Sequence, residues 1–395
     1  VNPADRALAA LPRQFQSRCA LAYAAAVGVN GIVLPYFPIW LNGLSFSPFE
    51  IGVVLAAQMI LRVIAAPLAG LMADRMPERS FMLVWAGGLS LVTAVALFWT
   101  SGFWAVLLVF SLQSAAFAPF MPIVEAITVT GVRRWGLQYG RMRVWGSVGF
   151  VFTTLSVGAL VTDFGADMVP AAISLVFVLA IVAALLAPRL GRMGVTSAIR
   201  PVSPSALRRV DLHLLMCGAS LIQASHGMYY AFSTLHWREV GFSTGSIGVL
   251  WATGVIAEIT VFFMAGRIAR RIGASTLIRF GGAVAIARWA FFPADLSFAA
   301  YLALQLTHAF TFAFVHVGLQ SKMVDMVQEE QESAAQGAYI FYNGVLLGAA
   351  TILSGIVYRQ YGGAGYLVMS LIAAIGLVIA ILAERFQPQR LASGG

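Results

Sequence analysis

Long apolar stretches recur from one end of the chain to the other, each close to bilayer length and each closed by a short polar turn. The pattern predicts twelve helices, at 15–40, 49–73, 81–99, 103–130, 142–162, 168–188, 211–235, 244–266, 274–292, 297–321, 334–358 and 364–384. A bilayer core of ~30 Å needs about 20 residues of helix, which these stretches supply. Ser47-Pro48-Phe49-Glu50 marks one start, with proline placed where its missing N–H is not needed. From Ile51 to Ala73 the chain is then almost wholly apolar, broken near its middle by Arg62. The stretch 189–210, rich in Gly, Ser, Pro and Arg, reads as a linker between an N-terminal bundle at 1–188 and a C-terminal bundle at 211–395.

Composition turns this pattern into a class. Of 395 residues, 60% are hydrophobic and only 10% charged, against ~25% charged in soluble domains, so a multi-span membrane protein is expected. A net charge of +9 could suggest nucleic acid as a partner. The arginines instead gather behind every second span, as in Arg75, Arg133, Arg134, Arg267 and Arg271, while Arg62, Arg238, Arg288 and Arg359 fall elsewhere. That bias explains the charge by topology, with both termini cytoplasmic, and removes the nucleic-acid reading. No cleavable leader is expected, because Arg13 and Arg18 lead into a run that reads as a first span. Cys19 and Cys217 both lie in or beside apolar runs, so neither a disulfide framework nor a metal site is expected. Nothing has the form of a P-loop, a nucleophile triad or a metal-ligand set, so ATP-driven pumping and enzyme chemistry lack support.

Charges inside spans cost at least ~2.5 kcal/mol on insertion scales, so each one needs a reason. The chain places Arg62, Glu125, Arg143, Glu258 and Arg288 in spans, with His226 and His308 mid-span. Counting ~1.5 Å per residue from the outer ends puts Arg62 ~20 Å deep, His308 ~16 Å, Glu258 ~21 Å and Arg288 only ~6 Å. On that count Arg288 is not assigned to Glu258 as a direct partner. A carboxyl in an apolar span is costly to keep charged, which suits Glu258 to carrying a proton. Each of these groups could instead be a structural pin, Glu125 and Arg143 a plain salt bridge, and His226 beside Tyr229 a packed side chain.

Several blocks resemble a known family. Gly70-Leu71-Met72-Ala73-Asp74-Arg75-Met76-Pro77-Glu78-Arg79 has the form G-x-x-x-D-R-x-x-x-R, similar to the loop between helices two and three of the major facilitator superfamily. Within that superfamily the chain resembles the phenylpropionate-transporter group, relatives of lactose permease. That likeness rests on Pro35-Tyr36-Phe37-Pro38-Ile39-Trp40-Leu41, Arg62, Tyr139-Gly140-Arg141-x-Arg143-x-Trp145-Gly146-Ser147, Glu258, and His308-Ala309-Phe310-Thr311-Phe312 with His316. It implies an all-α integral membrane protein of twelve transmembrane helices in two six-helix bundles, working by alternating access. By resemblance, Glu125 and Arg143 match an acid and an arginine that together bind sugar in lactose permease. Arg288 and His308 match a coupling arginine and histidine, whereas Thr311 stands where that permease has its proton-carrying glutamate.

The resulting expectation is a proton-coupled symporter for a small aromatic carboxylic acid such as 3-phenylpropionate. Arginine's planar fork suits a carboxylate, and aromatic side chains could cover a ring. Tyr36, Arg62, Glu125, Arg143, His226 and Tyr229 are the candidate substrate contacts. Glu258, Arg288 and His308 are the candidate proton-coupling set, and Asp74, Arg75 and Arg79 a candidate conformational latch. The proton gradient would be the energy source, with no cofactor and no metal. The partners would be a small solute, protons and lipid, around a monomer in a bacterial-type inner membrane. Sugar or nucleoside symport, export of amphipathic compounds and a non-transporting solute sensor are the alternatives.

Overall fold

A computed structural model describes residues 11–75, 78–190, 208–327 and 331–386. Its helices are α1 (Phe15–Gly43), α2 (Pro48–Arg75), α3 (Arg79–Ala96), α4 (Phe103–Phe117), α5 (Phe120–Trp135), α6 (Tyr139–Phe164) and α7 (Val169–Leu186). After the linker come α8 (Val210–Ala224), α9 (Gly227–Glu239), α10 (Thr244–Ile272), α11 (Ala274–Phe291), α12 (Phe298–Leu306), α13 (Val315–Met326), α14 (Glu332–Tyr361) and α15 (Tyr366–Arg385). The architecture is all-α.

Among the described residues, nine stretches are long and apolar enough to cross a membrane, and the last, Ala335–Arg385, holds two helices. Two further crossings are less apolar for visible reasons. The α8–α9 pair is interrupted at Ser225-His226, and α11 carries Arg279 and Arg288 within its 18 residues. These are the twelve bilayer-length stretches that the apolar pattern predicts. Side chains such as Phe263, 92% exposed, and Trp99 and Trp104, 80% and 78%, give these helices the apolar outer surface that lipid requires.

Local chemistry sets the helix starts and breaks. Ser47 and Glu50 form a reciprocal cap at the head of α2: the Ser47 amide donates to Glu50 Oε2 at 2.8 Å, and the Glu50 amide to Ser47 Oγ at 3.3 Å. Between α4 and α5, Pro119 removes a backbone donor, and the helix is interrupted between Phe117 and Phe120. Between α12 and α13, Ala309–Phe314 is a π-helical turn, a widened turn that recurs at functional sites.

The chain divides into two compact units, Val1–Val195 with Phe232–Ala252 and Thr196–Ala231 with Thr253–Gly395. The first is centred on α1, whose Phe15, Cys19 and Tyr23 pack with Phe120 and Ile123 of α5, Met142 of α6 and Ala180 of α7. α1 and α6 meet at Gly149, where a Cβ would lie 2.3 Å from the Ala24 carbonyl oxygen. Only glycine permits that approach, and in lipid such close packing replaces the hydrophobic effect. In the second unit α8 packs on α14 and α15, and α11 on α13 and α15. There Trp289, Phe292 and Tyr366 close an aromatic floor, with Phe292 and Tyr366 ring centres 4.2 Å apart.

Candidate functional site

Two polar clusters interrupt the apolar interior, one in each unit. In the first, α5 carries Glu125 between α1 and α6. The Tyr23 hydroxyl donates to Glu125 Oε2 at 2.7 Å, and the Tyr139 hydroxyl lies 3.0 and 2.9 Å from its two oxygens. Arg143 Nε stands 3.4 Å from Oε1, and its guanidinium lies 5.5 Å from the centre of the Tyr23 ring. Gly146, one turn further along α6, leaves the room: a Cβ there would come within 2.9 Å of Arg143 Nη1. Both charged side chains remain about one-third exposed, 30% for Glu125 and 37% for Arg143. The arrangement offers acceptors and donors side by side with its charge already balanced.

One helical turn from Glu125, Met121 joins a cavity of about 70 Å³ lined also by Asn30, Gln58, Arg62, Gln113, Ser114, Phe110, Phe117 and Phe177. Ser114 donates to the Gln58 carbonyl at 3.2 Å, while Gln113 Oε1 is buried without a partner among the described residues. Arg62 makes no ion pair among the described residues. The cavity therefore combines three aromatic rings, amide edges and one cation.

The second cluster is buried. Arg288 on α11, 1% exposed, donates from Nη1 to His308 Nδ1 at 2.9 Å and to Thr311 Oγ1 at 3.2 Å, and from Nη2 to Gln305 Oε1 at 3.0 Å. Its guanidinium lies 4.9 Å from the Tyr229 ring centre and 4.6 Å from that of Trp289, within cation–π range. A guanidinium can only donate, so His308 Nδ1 accepts, and a neutral ring carries its proton on Nε2. That nitrogen faces Glu258 Oε2 on α10 at 3.4 Å. His226 fits the reverse tautomer: its Nδ1 meets the Gln223 carbonyl at 3.0 Å and its Nε2 meets Thr311 Oγ1 at 2.9 Å. Tyr229 closes the ring of contacts by donating to Gln305 Oε1 at 3.0 Å.

The expected residues are thus distributed unevenly. Glu125 and Arg143 meet each other, and Arg62 lines the cavity beside them. His226 and Tyr229, expected among the substrate contacts, share one network with Arg288, His308 and Glu258. Tyr36 stands apart: it is fully buried, and its hydroxyl donates to the Thr154 carbonyl at 2.5 Å. The side chains of Asp74, Arg75 and Arg79 lie outside the described residues. Tyr23, Gln305 and Gln223 were not anticipated. Gln305, His308 and Thr311 recur every third residue on one helix face, and that polar spacing is the signal that could have found Gln305.

Residues 18–368 match the MFS_1 like family. A probable 3-phenylpropionic acid transporter of Escherichia coli (strain K12) is 27% identical over 367 residues, spanning 90% of this chain and 94% of that protein. Maltose permease of Geobacillus stearothermophilus is 26% identical, spanning 90% of this chain and 91% of its own length. Among solved structures, the nucleoside transporter NupG superposes with a TM-score of 0.81 at 16% identity, covering 94% of this chain and 99% of that one. At that identity the likeness is one of fold.

Proposed function

The chain belongs to the MFS_1 like family of secondary transporters, and on that premise we propose that it couples proton entry to uptake of a neutral hydroxylated ring solute, a nucleoside or a sugar. Members of the family are transporters that work by alternating access, not enzymes. The observation that carries the solute class is the Glu125 quartet. Arg143 already faces a carboxylate, so the pair offers hydrogen bonds of both senses rather than a free cation. Hydroxyl-rich rings need both donors and acceptors. The amides and phenylalanines of the neighbouring cavity suit the edge and faces of a nucleobase. The names of a maltose permease and of the nucleoside transporter NupG lend support to this class.

A second reading, a small aromatic acid such as 3-phenylpropionate, is favoured by Arg62, a cation without an ion-pair partner among the described residues, in a phenylalanine-lined cavity. The relative named as a probable 3-phenylpropionic acid transporter supports the same reading. In either case Glu258 carries the proton, and the rocking bodies are the halves at 1–188 and 211–395. The arginine bias supports cytoplasmic termini in a bacterial-type inner membrane. The latch role of Asp74, Arg75 and Arg79 rests on their sequence alone.

The test uses protein in liposomes with an entrapped pH dye, challenged with uridine, maltose and 3-phenylpropionate beside protein-free vesicles. Protein-dependent internal acidification with uridine or maltose is the expected result. A response to the aromatic acid alone overturns the neutral-solute reading and selects the second one. Accumulation of these solutes only in everted vesicles moves the protein to export.

A further inference from the structure

Where α3 begins and α7 ends, the first unit carries a groove that the transport reading does not use. It encloses about 480 Å³ and is lined by Ser80, Phe81, Val84, Trp85, Ala184, Leu185 and Arg189. That volume falls within the ~300–1,000 Å³ of ligand pockets. Ser80 opens the apolar stretch Ser80–Trp99 and Leu186 closes the stretch Ala166–Leu186. The groove therefore lies at the level where acyl chains give way to headgroups.

Two independent features point to a ligand there. Ser80 is only 4% exposed, and its Oγ has no hydrogen-bond partner among the described residues. A buried hydroxyl left in that state needs an explanation, because native structures pair nearly all such groups. Arg189 holds its guanidinium 5.7 Å from the Phe81 ring centre, which leaves its N–H edge free of ion pairs among the described residues. Among the described residues the charge balance at this end is positive. Arg134 donates to the carbonyl of Leu190, the residue after Arg189, at 3.3 Å, and the start of α3 adds the positive end of a helix dipole. Glu78, capping α3 two residues before Ser80, is the acid to set against them.

We propose that this groove is a binding site for an anionic phospholipid. The phosphodiester accepts from Ser80 Oγ–H and from the Arg189 guanidinium, and an acyl chain runs over Phe81, Val84, Trp85 and Leu185. A free phosphate would satisfy the polar end but leave Trp85 and Leu185, 63% and 58% exposed, uncovered. A zwitterionic lipid would bring a second cation to an end that is already positive.

The test measures lipid retained by the full chain after extraction into mild detergent from vesicles of phosphatidylcholine with phosphatidylglycerol, read by native mass spectrometry. The wild type is expected to retain phosphatidylglycerol selectively. Arg189→Gln should lower that retention about tenfold, as for loss of a charge-assisted hydrogen bond, and Ser80→Ala severalfold. Arg359→Gln, at the end of α14, should leave it unchanged. Equal retention by the Ser80→Ala/Arg189→Gln double variant overturns the proposal. So does displacement by millimolar glycerol phosphate, which would assign the site to a soluble phosphate ester. Should the double variant fail to fold, wild-type protein and Trp85→Phe are compared in vesicles of brominated-chain phosphatidylglycerol. A quenched component that depends on Trp85 is expected, and its absence rejects the site.

Discussion

The Glu125 quartet and the Arg288 network use similar side chains to opposite ends. Each sets an arginine against a tyrosine ring and links it to a carboxylate, directly for Arg143 and through His308 for Arg288. Glu125 and Arg143 stay about one-third exposed, whereas Arg288 is 1% exposed and His308 5%. Exposed ion pairs contribute little stability, a median of ~0–1 kcal/mol, because water competes for both partners. A buried guanidinium has no such recourse, and every contact it loses is left unmade. On the proposed reading, the first arrangement exchanges its partners for a solute at small cost, and the second holds one charge distribution until Glu258 takes a proton.

That contrast can be broken most sharply at Arg288. Arg288→Ala should destabilise the protein by about 3–5 kcal/mol, since His308 Nδ1 loses its donor, Gln305 keeps only the one from Tyr229, and Glu258 loses its distant counter-charge. Arg288→Lys should recover only part of this, as an ammonium cannot span His308, Thr311 and Gln305 together. Thermal unfolding in detergent checks both. Arg143→Ala should behave in the reverse way, with stability changed by less than about 1 kcal/mol and solute affinity weakened at least tenfold in equilibrium binding. An unfolding defect as large as that of Arg288→Ala would erase the distinction between the two clusters.

Smaller changes sharpen it further. Tyr139→Phe removes one donor to Glu125 and should weaken solute binding severalfold, the equivalent of about 1 kcal/mol. Tyr36→Phe removes the buried bond to the Thr154 carbonyl and should lower stability by about 1 kcal/mol while leaving affinity unchanged. A drop in affinity with Tyr36→Phe would bring that residue back among the solute contacts.

The spans and the costly charges within them were legible in the sequence, because a bilayer imposes both length and polarity on every crossing. Glu125 with Arg143 could be paired before the structure through the resemblance to the sugar-binding acid and arginine of lactose permease, and the fold sets them 3.4 Å apart. The link between Arg288 and Glu258 could not. Depth counting along straight helices separated them by ~15 Å, but it says nothing of what lies between. His308 fills that gap, with one ring nitrogen on each partner. Nor does straight counting anticipate the π turn at Ala309–Phe314, which follows His308 and carries Thr311 onto both Arg288 and His226. His226 was undecided for a similar reason: the break between α8 and α9 sets its direction, and an apolar count does not reveal that break. Nothing in the apolar pattern singles out Tyr23, which the fold sets 2.7 Å from Glu125.

The division of labour between solute and proton is best tested with Glu258→Gln in proteoliposomes, following the transported solute in two modes on the same preparation. Downhill counterflow, which needs the solute site and the conformational cycle but no net proton movement, should persist near the wild-type rate. Uphill accumulation driven by an imposed proton gradient should vanish. Accumulation at the wild-type level would contradict the assignment of the proton to Glu258, and loss of both modes together would contradict the separation of the two sites.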